Sequence, residues 1–218
     1  MKGNALKRMK YVGIVAMLLM AASVIANFFG LGISVLSIAV GIAAFFILFN
    51  RKEIEEGGID FISAASQLLD RKMWAWILFP AAANFLPLLI ACLWLPDFIN
   101  HVVGRTEQLW ISQKTPLLII QLIIAAVGEE IAWRGFFQKR LGELISIHLS
   151  IILTSILFAL GHLSRGSALV VAFDLFFVFL NSLLYGIVFK KTNNVWVSAI
   201  AHFIANVFAI GIILRIKV

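Results

Sequence analysis

Charged residues are scarce in this chain of 218 residues, where they make up 13% of the sequence against 62% hydrophobic residues. An ordinary soluble domain carries about a quarter charged residues, so the scarcity excludes that class and indicates segments buried in a lipid bilayer. Cysteine is almost absent as well, and a single Cys92 excludes a disulfide framework. The mean hydropathy of +1.02 agrees with an integral membrane protein.

Long apolar runs fill most of the chain, and each crossing of the hydrocarbon core needs about 20 apolar residues. None of the runs shows the two-residue alternation of barrel strands. We therefore predict an all-α fold, a polytopic transmembrane helical bundle that forms one integral membrane domain over residues 1–218. About seven spans are expected, at residues 11–29, 33–50, 75–95, 116–137, 147–163, 168–189 and 195–214.

The net charge of +7 comes from basic residues whose distribution indicates topology. With a cytoplasmic N-terminus, 13 of the 18 lysines and arginines lie on the cytoplasmic side, in agreement with the positive-inside rule. We expect a multi-pass protein of the cell membrane that contacts membrane lipid and binds no nucleic acid. The loop 51–74 is expected to hold a short amphipathic helix, and the loop 96–115 to lie along the outer interface.

Two adjacent acids lie inside the fourth apolar run, although an ionisable group in a bilayer costs a few kcal/mol. Glu129 and Glu130 point about 100° apart on a helix, so they cannot share one role. Glu130 and Arg134 are four residues apart and can pair on one helical face. Glu129 has no such local cation and must face another element of the fold.

Two histidines lie in later apolar runs. Phe158 and His162 share a helical face, as do His202 and Asn206. The basic segment between the fourth and fifth runs lies midway between Glu129 and His162, so a helical hairpin would place these two residues at similar depth. The same boundaries place His202 nearer the cytoplasmic surface, and a break or tilt in a helix would be needed to bring it level.

Three further polar residues receive a mainly structural interpretation. His101 and His148 are interpreted as hydrogen-bonded packing residues. Asp174 lies inside the sixth run and could pair with Arg165, lie near the outer interface or help to line a cavity, with a structural role favoured.

One unpaired carboxylate, two imidazoles and an amide suit hydrolysis by an activated water. A glutamate beside a histidine can deprotonate water, and a second histidine with an asparagine can donate hydrogen bonds to an oxyanion. Glu129, His162 and His202 could instead ligate zinc, although no H-E-x-x-H occurs. A serine or cysteine nucleophile is unsupported, since the chain has no G-x-S-x-G and Cys92 has no nearby base. A proton-relaying transporter is a further alternative, but no internal repeat is visible.

These residues resemble three motifs of the CPBP family of intramembrane proteases, also called Abi, which includes CAAX prenyl endopeptidases and bacteriocin-processing or self-immunity proteins. In the family's order the motifs are Glu129-Glu130-x-x-x-Arg134, Phe158-x-x-x-His162 and His202-x-x-x-Asn206. The resemblance covers about residues 115–215 and implies a catalytic core in the C-terminal four helices. Residues 1–110 would supply N-terminal spans and loops.

Carried over position by position, the resemblance implies that Glu129 is the catalytic carboxylate and activates water with His162. His202 and Asn206 would stabilise the oxyanion. The supporting residues would be Glu130, Arg134 and Phe158. The implied activity is glutamate-type hydrolysis, without a metal or other cofactor, of a membrane-anchored protein or peptide such as a CAAX protein, leader peptide, pheromone or bacteriocin precursor. The alternative is a non-catalytic membrane scaffold or bacteriocin self-immunity protein of the same family.

Overall fold

The computed structural model describes residues 2–50, 58–107 and 115–216, and the regular structure in these ranges is entirely helical. This confirms the predicted all-α fold. The elements are α1 (Lys2–Phe28), α2 (Val35–Asn50), α3 (Phe61–Leu69), α4 (Arg71–Ala83), α5 (Phe85–Trp94), α6 (Asp97–Glu107), α7 (Thr115–Glu130), a π-helix (Ile131–Gln138), α8 (Lys139–Gly142), α9 (Ile147–Gly161), α10 (Ala168–Thr192) and α11 (Val195–Ile216).

Five helical segments of the described chain are long and apolar enough to cross a bilayer, which makes this a multi-pass membrane protein. The segments are Tyr11–Phe28, Arg71–Trp94, Pro116–Gly142, Ala168–Thr192 and Val195–Ile213. The other two predicted spans are helical but shorter. α2 has 16 residues and α9 has 15, lengths of about 22–24 Å against a hydrocarbon core of roughly 30 Å.

The third predicted span is divided into two helices. α4 ends and α5 begins at Asn84, which lies between Pro80 and Pro87. A proline inside a helix removes a backbone donor and crowds the preceding turn, which explains the division. Asn84 is buried at this point, and its Nδ2 donates a hydrogen bond to the carbonyl oxygen of Ala205 in α11.

The turn between α8 and α9 lies in the basic segment where the hairpin was predicted. Ser146 caps α9 by accepting a hydrogen bond from the backbone N–H of Leu149. α9 ends at Gly161, so His162 occupies the C-terminal cap. The hairpin brings His162 and Glu129 to the walls of one cavity.

The start of α11 lies inside the bundle. Asn193 adopts a left-handed conformation with φ of 45° that ends α10, and both Asn194 and Val195 are completely buried. Val195 packs so closely on the π-helix that a Cβ added to Gly135 would lie 2.9 Å from its Cγ2. α11 therefore begins level with Gly135, well before the end of α8.

This recessed start brings His202 level with the two glutamates without any break in α11. The prediction that His202 lies nearer the cytoplasmic surface is therefore wrong. That prediction assumes that α11 begins at the surface of the bundle. An apolar run does not reveal the depth in the membrane at which its helix begins.

The predicted short helix in the loop 51–74 is α3, which covers the start of α11. The Asn194 side chain donates to the carbonyl oxygen of Asp60 at 2.7 Å, and the Trp196 indole donates to that of Ile59 at 3.0 Å. The ring of Phe61 stacks on Trp196. Residues 51–57 of this loop lie outside the described residues.

α6 supplies the regular part of the loop 96–115. Its buried side chains include Phe98, Ile99 and Val102, which pack with residues of α5, α10 and α11. α6 therefore covers the end of the bundle where α10 begins and α11 ends. Residues 108–114, which include Trp110, lie outside the described residues.

Candidate active site

Glu129 and Glu130 end α7 and have different surroundings. Glu130 is completely buried, whereas the Glu129 side chain keeps 15% exposure and lines a cavity. From the next residue the chain forms the π-helix, in which every residue is buried. Segments of π-helix are rare and often occur at functional sites. The two acids therefore occupy separate environments, as their offset on a helix predicts.

Glu130 is the centre of a buried polar network. Its Oε2 lies 3.3 Å from the Nε of Arg134, which is the predicted pair four residues apart. The two side chains are completely buried, and the contact is an ion pair rather than an aligned hydrogen bond. Ser198 donates to the same carboxylate oxygen, and the Nη2 of Arg134 donates to the Oγ of Ser182 at 2.8 Å. The network links the end of α7 and the π-helix to α10 and α11.

His202 lies between the two carboxylates. Its Nδ1 is 3.1 Å from Oε1 of Glu130, and its Nε2 is 3.8 Å from Oε2 of Glu129. A carboxylate paired with arginine only accepts hydrogen bonds, so Nδ1 is the donor in the first contact. The ring also stacks on Tyr185, with centroids 4.4 Å apart, which fixes its plane.

His162 is oriented by the last turn of α9. Its Nδ1 lies 2.9 Å from the carbonyl oxygen of Phe158, which only accepts, so Nδ1 carries the proton and the lone pair of the neutral ring is on Nε2. The Phe158 ring lies 4.6 Å from the His162 ring and 6.1 Å from that of His202. The guanidinium of Arg134 lies over the same phenyl ring at 5.2 Å. Phe158 therefore packs between both histidines and the buried arginine.

One cavity of about 250 Å³ brings the predicted catalytic residues together. Its walls include Glu129 from α7, His162 from the end of α9, and His202 and Asn206 from α11. Much of the remaining lining is apolar and comes from α5, α6, α10 and α11. These apolar residues include Leu88, Phe98, Val102, Phe177, Ile210 and Ile213.

Two asparagines also line this cavity, and sequence reasoning missed them both. Asn181 of α10 donates a hydrogen bond to the Oδ1 of Asn84, whose own amide holds α11. The predicted site contains only ionisable groups, Phe158 and the amide one turn from His202. An asparagine inside an apolar run is the signal that could have found these residues, because buried amides link helices in membranes.

Asp174 lines the same cavity from a position nearer the start of α10 than Asn181. Lining a cavity is one of the options predicted for Asp174. Its Oδ2 lies 3.4 Å from the Nε2 of His101, and both side chains are nearly buried. His101 is thus hydrogen-bonded and packed, as interpreted. His148 is also hydrogen-bonded, to the Nζ of Lys190 at 2.9 Å, but it is exposed, so its interpretation as a packing residue is wrong.

The zinc alternative finds no matching geometry in the part of the chain that the structure describes. No group of three or more His, Cys, Asp or Glu side chains there is arranged to hold a metal ion. The two carboxylates at His202 contact its two ring nitrogens from different sides.

Comparison with known proteins gives a family match, and it covers the region that contains these residues. Residues 109–208 match a family model described as type II CAAX prenyl endopeptidase, Rce1-like. The match includes all three motifs and runs from α7 into α11. Searches of curated proteins and of solved structures gave no match. The C-terminal region of this membrane protein is therefore similar to the Rce1-like type II CAAX prenyl endopeptidases, a family of proteases.

Proposed function

We propose that the protein is an intramembrane endopeptidase that hydrolyses a peptide bond with a water activated by Glu129 and His162. The observation that carries this proposal is the convergence of Glu129, His162, His202 and Asn206 on one cavity from three separate parts of the chain. The family match supports a protease of the CAAX type.

Water activation is assigned to the carboxylate that has access to the cavity. Glu129 accepts a proton from the water, and the water oxygen then attacks the carbonyl carbon of the substrate. The lone pair on Nε2 of His162 holds the same water by accepting a hydrogen bond. When the tetrahedral intermediate collapses, its C–N bond breaks and Glu129 returns the proton to the leaving amine.

Stabilisation of the oxyanion is assigned to His202 and Asn206, which lie one turn apart on α11. The amide of Asn206 can donate in any protonation state, whereas Nε2 of His202 donates when the ring carries both protons. Glu130 holds Nδ1 of that ring and therefore keeps Nε2 directed to the cavity side. Donors fixed in this way are worth more than mobile ones, because they need no reorganisation as charge develops.

The proposed substrate is a membrane-associated protein or peptide cleaved in the cytoplasmic half of the cell membrane, with the N-terminus of the enzyme in the cytoplasm. A prenylated CAAX protein is the first candidate because of the family match. The apolar lining of the cavity also suits leader peptides, pheromone precursors or bacteriocin precursors, all of which present apolar segments.

The test is the variant Glu129→Gln in the full-length protein reconstituted in lipid nanodiscs. The probe is a quenched fluorescent peptide that carries a farnesyl group and ends in a CAAX sequence. We expect cleavage to fall below detection, whereas the matched control Glu143→Gln, in the exposed turn before α9, cleaves like the wild type. Activity retained by a folded Glu129→Gln variant would contradict the mechanism.

Two further measurements separate the alternatives. Loss of cleavage with a chelator, restored by added zinc, would favour the metal mechanism. If the wild type does not cleave the probe, the membrane peptidomes of cells that carry wild-type and Glu129→Gln protein are compared. Identical peptidomes, together with a cellular phenotype retained by Glu129→Gln and His162→Ala, would favour the non-catalytic scaffold.

A further inference from the structure

A second histidine–carboxylate contact lies at the end of the cavity that α6 covers. His101 of α6 places its Nε2 3.4 Å from Oδ2 of Asp174 and 3.1 Å from Oγ of Ser164. The side chains of His101 and Asp174 keep 7% and 4% exposure. We call His101, Ser164 and Asp174 the cap cluster. The proposed hydrolysis makes no use of it.

The cap cluster holds the segment that follows His162. Ser164 is two residues beyond His162, in the link between α9 and α10. Gly166 in the same link packs on the other ring nitrogen of His101, because a Cβ added there would lie 2.9 Å from Nδ1. The imidazole therefore contacts this link on both of its nitrogen sides.

Other contacts hold the link at its two ends. The N–H groups of His162 and Leu163 still bond to carbonyl oxygens of the last turn of α9. The Nδ2 of Asn27 in α1 donates to the carbonyl oxygen of Leu163 at a long 3.4 Å. Ser167 then begins α10 as its cap. His101 contacts this link from α6 and, through Asp174, connects it to α10.

Hydrogen-bond chemistry explains why a histidine suits this position. An ionised Asp174 only accepts, so Nε2 of His101 carries the proton that faces it, and the Ser164 hydroxyl shares the same nitrogen. The described residues that line the cavity include Asp174 and His162 but not His101 or Ser164. His101 therefore lies behind the wall and has no path to the substrate except through its neighbours.

We propose that His101 is a positioning residue for His162: it fixes the link 163–166 through Ser164 and Gly166, and anchors that link to α10 through Asp174. This rests on the proposed function of His162 in holding the reacting water. A displacement of about 1 Å at a reacting group can cost about 100-fold in rate, so the loss of this anchor should act on kcat.

The experiment compares His101→Leu, which removes both ring nitrogens, with His101→Gln, whose amide N–H can reach the position of Nε2. The matched control is His148→Leu, a histidine at the exposed start of α9. Cleavage of the farnesylated CAAX peptide is measured in nanodiscs with the full-length protein. We expect His101→Leu to lower kcat by roughly 10-fold to 100-fold with KM changed by less than about twofold. His101→Gln should recover most of kcat, and His148→Leu should leave it unchanged.

A second readout does not depend on cleavage. The chain has four histidines, so the Cε1–H resonances of ¹³C-labelled histidine can be assigned by single substitutions. His101→Leu should shift or broaden the His162 resonance and leave that of His148 in place. If His101→Leu does not fold, Ser164→Ala removes one contact of the same ring and should shift the His162 resonance in the same direction.

Two outcomes would overturn the proposal. One is a folded His101→Leu variant with wild-type kcat and an unchanged His162 resonance. The other is an equal loss in His101→Leu and His101→Gln, which would reduce His101 to a space-filling residue. A wild-type protein that does not cleave the peptide would contradict the CAAX substrate instead, and the resonance of His162 still decides whether His101 positions it.

Discussion

The cavity has a histidine–carboxylate contact at each end, and the two ends differ in how their charges are compensated. At one end lies the glutamate cluster, which we define as Glu129, Glu130, Arg134 and His202. There the histidine meets two carboxylates, one of them paired with a buried guanidinium. In the cap cluster, His101 meets Asp174 and a hydroxyl group.

A buried histidine beside a carboxylate therefore occurs at two places in the described structure, and the contact alone does not distinguish them. The access of the histidine separates the two ends, since His202 lines the cavity, whereas His101 lies behind its wall in the described structure and only Asp174 of its pair lines it. The chemistry of the compensating group differs as well. An arginine stays charged, whereas a histidine can give up its proton.

The largest effect is expected for Glu130→Gln. This change leaves the guanidinium of Arg134 buried without its carboxylate, and an uncompensated buried charge costs about 3–5 kcal/mol. Thermal unfolding in nanodiscs, followed by tryptophan fluorescence, should show a large fall in Tm together with loss of cleavage. Glu143→Gln is the control, because its carboxylate is about half exposed. A Glu130→Gln variant that melts like the wild type would remove the basis of the comparison.

The Glu130–Arg134 pair was predictable from the sequence because a spacing of four residues is a local property of a helix. The contact of His202 with Glu130 was not. It depends on the recessed start of α11, which is set by the left-handed Asn193 and by the packing of Val195 on Gly135. Packing between segments so far apart in the chain leaves no periodic signal.

Hydropathy located all seven helical stretches but not their lengths. It counts apolar residues and is insensitive to the caps that end a helix, so α2 and α9 were predicted longer than they are. The division of the third span at Asn84 was signalled by Pro80 and Pro87 and could have been predicted. The π-helix after Glu130 contains no proline, and its one glycine, Gly135, does not distinguish a π-helix from an ordinary helix in the sequence.

Asn206→Ala is the next largest change and should act on catalysis alone. Removal of one oxyanion donor lowers kcat by about 100-fold to 1000-fold, or roughly 2.7–4 kcal/mol in the barrier. KM and Tm should stay close to the wild-type values, because Asn206 lies in the cavity wall outside the buried ion pair. Kinetics with the farnesylated peptide provide the measurement. Asn181→Ala is the matched control, an amide in the wall on α10, and an equal fall in kcat for both variants would refute a specific oxyanion role.

Asp174→Asn should cost less stability than Glu130→Gln, although both replace a buried carboxylate by its amide. The expected loss is about 1.5–3 kcal/mol, the range for a hydrogen bond to a charged group. The reason for the smaller loss is that Asp174 pairs with a histidine, whereas Glu130→Gln leaves the guanidinium of Arg134 buried without its carboxylate. The same unfolding measurement in nanodiscs tests this. A fall in Tm equal to that of Glu130→Gln would show that the cap cluster buries its charge as tightly as the glutamate cluster.

The smallest effects are expected for two serines on opposite sides of the glutamate cluster. Ser198 donates to Glu130, the carboxylate that holds His202, whereas Ser182 accepts from Arg134. Each alanine substitution should lower stability by about 1 kcal/mol, the usual size for one hydrogen bond. Ser198→Ala should in addition lower kcat by up to about tenfold, because Glu130 loses a donor and holds Nδ1 of His202 less firmly.

The two serine variants therefore separate stability from catalysis within one network. Unfolding in nanodiscs should show similar losses for both, while kinetics with the farnesylated peptide should distinguish them. A kcat lowered equally in both variants would mean that the network acts as one rigid unit. A wild-type kcat in Ser198→Ala would mean that the orientation of His202 depends on its stacking on Tyr185 rather than on its hydrogen bond to Glu130.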